Sequence, residues 1–100
     1  MESYNKLVRD KIPEILDEKG VVYEQHVASG EEYKKELIKK LDEEMREFIT
    51  QPSPEELADI IEVVEALKKL NDFEDTEVIR QRKLAERGGF EKKLILKGEK

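Results

Sequence analysis

Two short acidic runs lie close together in this chain, EEMRE at 43–47 and EELAD at 55–59. Glu44 and Glu47 are three positions apart, and so are Glu56 and Asp59. On a helix that spacing puts both members of a pair on one face, roughly 4.5 Å apart along the axis. Four carboxylates brought into one volume repel one another unless a cation neutralises them. An all-oxygen donor set suits a hard ion, Mg²⁺ or Mn²⁺, better than Zn²⁺. The chain has no Cys and a single His, so a softer ion finds few ligands.

What must position these acids is a helical hairpin. Apolar residues at Tyr33, Leu37, Ile38, Leu41, Met45, Phe48 and Ile49 follow the i, i+3/i+4 rhythm of an amphipathic helix over Glu31 to Ile49. Gln51-Pro52-Ser53-Pro54 interrupts it. Ser53, with Pro54 at the first helical position and Glu56 at the third, has the pattern of a capping box opening a second helix to about Leu70. A short loop makes the two helices antiparallel neighbours. Glu47 and Glu56 are then equidistant from the loop centre, as are Glu44 and Asp59, so the four carboxylates stand level in two rows. On a wheel of roughly 100° per residue, Glu44 falls inside the apolar arc and Glu47 at its edge. Glu56 falls between Val63 and Leu67, Asp59 beside Leu70, whereas Asp42 and Glu43 point to the polar side. With 25 acidic residues in the chain, solvated surface is the ordinary fate of a Glu here. Level pairing and inward placement set these four apart.

The rest of the chain reads as support for the hairpin. Pro13 sits in the first turn of a helix running to about Lys19, and Gly20 stops it. A fourth helix is predicted from about Asp75 to Arg87, ending at Gly88-Gly89. The β-branched stretch 21–27 and the tail 91–97, with Leu94-Ile95-Leu96, could pair as a small two-stranded sheet beside an otherwise all-α bundle.

Composition bounds what such a fold can do. One hundred residues make one domain, and such a chain buries only about two-thirds of its unfolded surface. Here 37% of residues are hydrophobic and 44% charged, so a shared core in a homodimer or homotetramer is expected. The lack of Cys excludes disulfides and thiolate chemistry and fits a cytoplasmic setting. A net charge of -6 argues against a nucleic-acid polymer as partner, and no apolar run is long enough to span a membrane.

The combination EExxE followed by ExxD on a helical hairpin resembles the metal-binding signature of the all-α, MazG-like nucleoside triphosphate pyrophosphohydrolases. YNKLVRDKIPEIL at 4–16, EELADIIEVVEAL at 55–67 and RGGF at 87–90 extend the resemblance to a compact single-domain branch related to phosphoribosyl-ATP pyrophosphohydrolase. The resemblance implies Mg²⁺-assisted cleavage between the α and β phosphates of a nucleotide, giving a monophosphate and pyrophosphate. It also implies an assembly with helices of two subunits around the site. The family's ligands, the second and last Glu of EExxE and both acids of ExxD, fall on Glu44, Glu47, Glu56 and Asp59. Phosphoribosyl-ATP hydrolysis and a non-catalytic oligomeric module that binds nucleotide or metal remain alternative readings.

Phosphates need basic partners from outside the hairpin. Lys6, Arg9 and Lys11 cluster near the start, and Lys83 and Arg87 are one turn apart before Gly88-Gly89. A cation before a glycine pair is also an ordinary helix C-terminus. Given the resemblance, Arg9, Lys11, Lys83 and Arg87 become the phosphate-binding candidates. Glu43 could serve as a base for water but faces solvent on the wheel. His26 is expected to be structural. Tyr4, Tyr23, Tyr33, Phe48, Phe73 and Phe90 read as core, with Phe90 the first to examine for base stacking.

Overall fold

The 21-residue helix over Gly30–Thr50 (α2) begins where Ser29 accepts a hydrogen bond from the Glu32 backbone N–H and the Glu32 carboxylate accepts one from the Ser29 N–H. This complete capping box satisfies two of the orphan donors at the helix start. His26 completes the arrangement by contacting the same carboxylate at 2.9 Å, which fits its structural reading. Residues 5–99 are described in this computed structural model; of the aromatic candidates, Tyr4 lies outside them.

A short helix over Ile12–Glu18 (α1) precedes α2, with Pro13 in its first turn as its fixed φ dictates. After α2, a loop at 51–53 reverses the chain into the helix over Pro54–Lys68 (α3). A 3₁₀ turn at Asn71–Phe73 follows, then the helix over Thr76–Arg87 (α4). α2 and α3 pack as an antiparallel pair, and that packing dominates the tertiary structure. Leu37 of α2 and Val63 of α3 are the buried apolar residues of the core. The fold is all-α.

Among the described residues there is no strand, which corrects the expected sheet between 21–27 and 91–97. Val22, Val27, Ile95 and Leu96 are almost fully exposed. Two features prevent pairing. The tail turns on itself, with Lys93 N–H bonded to Phe90 O and Lys93 at φ 58, which breaks the strand alternation. In addition, no packed face lies beneath either segment, and an uncovered two-stranded ribbon is marginal in water. Phe90 is 97% exposed, so it is not core.

The chain covers itself poorly. Its radius of gyration is 18.0 Å, against about 13 Å for a compact domain of this length. Its accessible surface is 9674 Å², against about 5,900 Å² expected from its mass. Ile38, Met45, Ile49, Leu57 and Ile61 lie exposed on the hairpin, and Val78 and Leu84 on α4. Among the described residues no helix is long and apolar enough to cross a membrane.

Candidate metal centre

Ser53 opens α3 as Ser29 opens α2, but the two caps differ in one bond. Ser53 Oγ accepts from the Glu56 N–H at 3.2 Å, as expected. No reciprocal bond from Glu56 back to the cap is present among the described residues. The Glu56 carboxylate is committed elsewhere. It joins Glu44 and Asp59, and the three offer carboxylate oxygens that all lie within 4.8 Å of one another.

Each member reaches this point by a local rule. Glu56, in the first turn of α3, lies in the favourable field of the helix N-terminus. Asp59 is one turn further on the same face. Glu44 stands opposite on α2, on the side that packs against α3, and is only 7% exposed. Its Oε1 lies 3.5 Å from Lys40 Nζ, one turn back. Its Oε2 is buried without a hydrogen-bond partner among the described residues, and so is Oε2 of Glu56.

A buried carboxylate oxygen without a partner is costly, and two of the three clustered acids carry one. Burial pushes the Glu44 carboxyl above the usual carboxylate range, and the charge of Glu47 adds to the effect. Lys40 opposes both. An ion about 2.1 Å from each oxygen holds its ligands at most about 4.2 Å apart. The trio therefore needs to draw in by only a fraction of an ångström. The donors are all hard oxygens, and two of the three residues carry a buried oxygen that lacks a partner among the described residues, so the residues fit a Mg²⁺- or Mn²⁺-sized cation.

Of the four acids singled out in the sequence, Glu44, Glu56 and Asp59 are brought together. Glu47 stands outside the trio, more exposed, on the wall of a shallow, open cavity of about 290 Å³ that it shares with Arg46, Thr50, Gln51 and Glu56. Glu43 is not the free surface acid of the helical wheel. It is half-buried, with Lys6 at 3.7 Å and Lys40 at 3.8 Å.

The basic candidates divide sharply. Arg9 Nη2 donates to Asp59 Oδ1 at 2.7 Å, across a separation of 50 residues. Lys11 is the N-cap residue of α1, and Lys83 and Arg87 lie exposed on α4. None of these three makes an ion pair among the described residues. Lys40 is a further residue of the site that the motifs do not single out, although its position one turn before Glu44 is a visible signal.

No family model, no curated protein and no solved structure matches the chain. The chemistry of the centre therefore rests on its own side chains.

Proposed function

We propose that the chain is a Mg²⁺-dependent nucleotide pyrophosphohydrolase that cleaves between the α and β phosphates, releasing a nucleoside monophosphate and pyrophosphate. The observation that carries the reading is the clustering of carboxylate oxygens of Glu44, Glu56 and Asp59 within 4.8 Å of one another, where Glu44 and Glu56 each also carry a buried oxygen with no hydrogen-bond partner among the described residues. Such a cluster calls for an external cation, and the motifs EEMRE and EELAD that build it are those of the MazG-like resemblance.

Glu44, Glu56 and Asp59 hold the ion, and Glu47, on the cavity wall beside Glu56, completes the set. A divalent ion supplies charge neutralisation to the phosphates and an activated water. Lys40 fixes one oxygen of Glu44, leaving the other to point inward. The open cavity at the loop end of the hairpin gives the phosphates a way in. Glu43, engaged by Lys6 and Lys40, is poorly placed to take a proton from water. In the reaction, water oxygen attacks phosphorus, the bond to the bridging oxygen breaks, pyrophosphate leaves with the bridging oxygen, and the proton lost by the water passes to solvent. A second copy of the chain, packed on the exposed apolar side chains of the hairpin, closes the site from the solvent side.

Pyrophosphate release across a panel of nucleoside triphosphates and phosphoribosyl-ATP, with Mg²⁺, Mn²⁺ or chelator, tests the proposal. Monophosphate and pyrophosphate should appear in equal amounts and only with metal. Protein that binds the ion yet releases no pyrophosphate from any nucleotide would be a binding module instead.

A further inference from the structure

The segment ahead of α1 lays cations against the acids of both hairpin helices. Arg9 reaches Asp59 on α3 at 2.7 Å, and Lys6 reaches Glu43 on α2 at 3.7 Å. The backbone turns immediately afterwards, with Ile12 N–H bonded to Arg9 O, so Arg9 sits at the joint between this segment and α1. Arg9 and Asp59 are both substantially exposed, 58% and 40% at the side chain. A pair of this kind holds weakly and exchanges readily. Yet its acid is one of the three whose carboxylate oxygens lie within 4.8 Å of one another, and the other two, Glu44 and Glu56, each carry a buried oxygen without a partner among the described residues.

We propose that Arg9 is the exchangeable counter-cation of the trio: it bonds Asp59 while no ion is bound, leaves when a divalent ion arrives, and then meets the substrate's phosphates. The inference rests on the metal-site reading above and adds an order of events to it. A guanidinium and a divalent ion on one carboxylate repel each other, so Asp59 favours one cation at a time. Arg9 is long, planar and permanently charged, and its fork matches phosphate as well as carboxylate. Exchange at Asp59 thus frees a phosphate-binding group only when the ion is in place. Metal loading then precedes productive nucleotide binding, and Arg9 acts as a positioning residue that links the two.

The test measures ion binding without turnover. Mn²⁺ is titrated into the full chain, and the free ion is followed by its paramagnetic resonance signal. Wild type, Arg9→Gln and Lys6→Gln are compared. Arg9→Gln should bind Mn²⁺ roughly tenfold more tightly, in the range of a coupling between competing charges. Lys6→Gln, which removes a charge beside Glu43 instead, should stay within about twofold of wild type. In ¹⁵N-labelled wild type, Mg²⁺ should also shift the Arg9 side-chain Nε–H resonance as the guanidinium leaves Asp59. Unchanged or weaker Mn²⁺ binding by Arg9→Gln overturns the exchange and leaves the metal site standing, since Arg9 would then only brace Asp59. Equal tightening by both variants also overturns it, because bulk charge alone would explain the gain. No Mn²⁺ binding by any of the three proteins overturns the metal site itself, and the exchange with it.

Discussion

Glu44 in the middle of the hairpin and Glu77 at the start of α4 carry the same side chain into opposite surroundings. Glu77 is met by Arg80, Gln81 and Lys68, and these hydrogen bonds, Arg80's foremost, hold its carboxyl down to about 2. Glu44 is buried, has one lysine at 3.5 Å, and its carboxyl is pushed upward by burial and by Glu47. Glu77 ties α3 to α4 with the chain's own cations. Glu44 is left with an oxygen that nothing among the described residues satisfies. Elsewhere the protein has cations to spare: Lys68 and Arg80 crowd around one exposed acid, while Glu44 and Glu56 of the hairpin each keep an unpartnered oxygen. A shortfall found at Glu44 and Glu56, two of the acids at level spacing on the hairpin, marks a site for a ligand, not a flaw of composition.

The sharpest way to break this comparison is turnover. Glu44→Gln, Glu56→Gln and Asp59→Asn keep side-chain size and remove a ligand's charge. Each should lower pyrophosphate release on the order of a hundredfold or more, the scale of an essential electrostatic group. Glu47→Gln should also reduce it, whereas Glu77→Gln and Asp42→Asn should leave it nearly intact. If the inward and outward acids prove equally dispensable, the distinction drawn here is empty.

Next in size is the solution mass. The hairpin hides its acids but exposes Ile38, Met45, Ile49, Leu57 and Ile61. Light scattering at micromolar concentration should report at least a dimer. A well-folded monomer would remove the second subunit from the site.

A smaller effect concerns stability with metal. At a Mg²⁺ concentration a hundred times its Kd, binding to the native state alone contributes about 2.7 kcal/mol. For a chain of this size that raises Tm on the order of ten degrees. Glu44→Gln should forfeit most of the rise, and Glu77→Gln should keep it. An equal rise in both variants would mean that the ion binds somewhere else.

The subtlest contrast is with pH, in the absence of metal, because the two acids have opposite signs. The folded chain favours protonated Glu44. Its contribution is present in full below the ordinary value of 4.5 and is lost as pH rises through the raised one. Glu77 contributes above 4.5 and loses its contribution as pH falls through about 2. Glu44→Gln should therefore melt a few degrees above wild type at pH 7, with the gap closing as the solution is acidified toward 4.5. Glu77→Gln should melt slightly below wild type at pH 7, and its gap should close only near pH 2. Melting curves of the three proteins across pH check both signs at once.

The hairpin was legible because its information is local. The apolar rhythm of α2, the Pro-rich break and Ser53 place the loop, and the loop centre sets Glu44 level with Asp59. The burial of Glu44 followed from the same periodicity, whereas Glu47 lies exposed. What escaped depends on contacts distant in sequence or on the absence of a covering face. Arg9 meets Asp59 across 50 residues, and no periodicity carries that pairing. Glu43 looked solvated on the wheel because the wheel knows nothing of Lys6 arriving from another segment. The expected sheet had β-branched residues but no surface to pack on, and Lys93 turns the tail where a strand would run. At Ser53 the cap was right, but the pattern alone could not tell that Glu56 would turn into the cluster, as Glu32 does not.

Anomalous diffraction from crystals soaked in Mn²⁺ tests the central claim most directly. The account predicts a peak between α2 and α3 about 2.2 Å from oxygens of Glu44, Glu56 and Asp59, with Glu44 Oε2 among its ligands and Arg9 withdrawn from Asp59. A fully soaked crystal with no peak at the trio, and the Arg9–Asp59 bond intact, would contradict it.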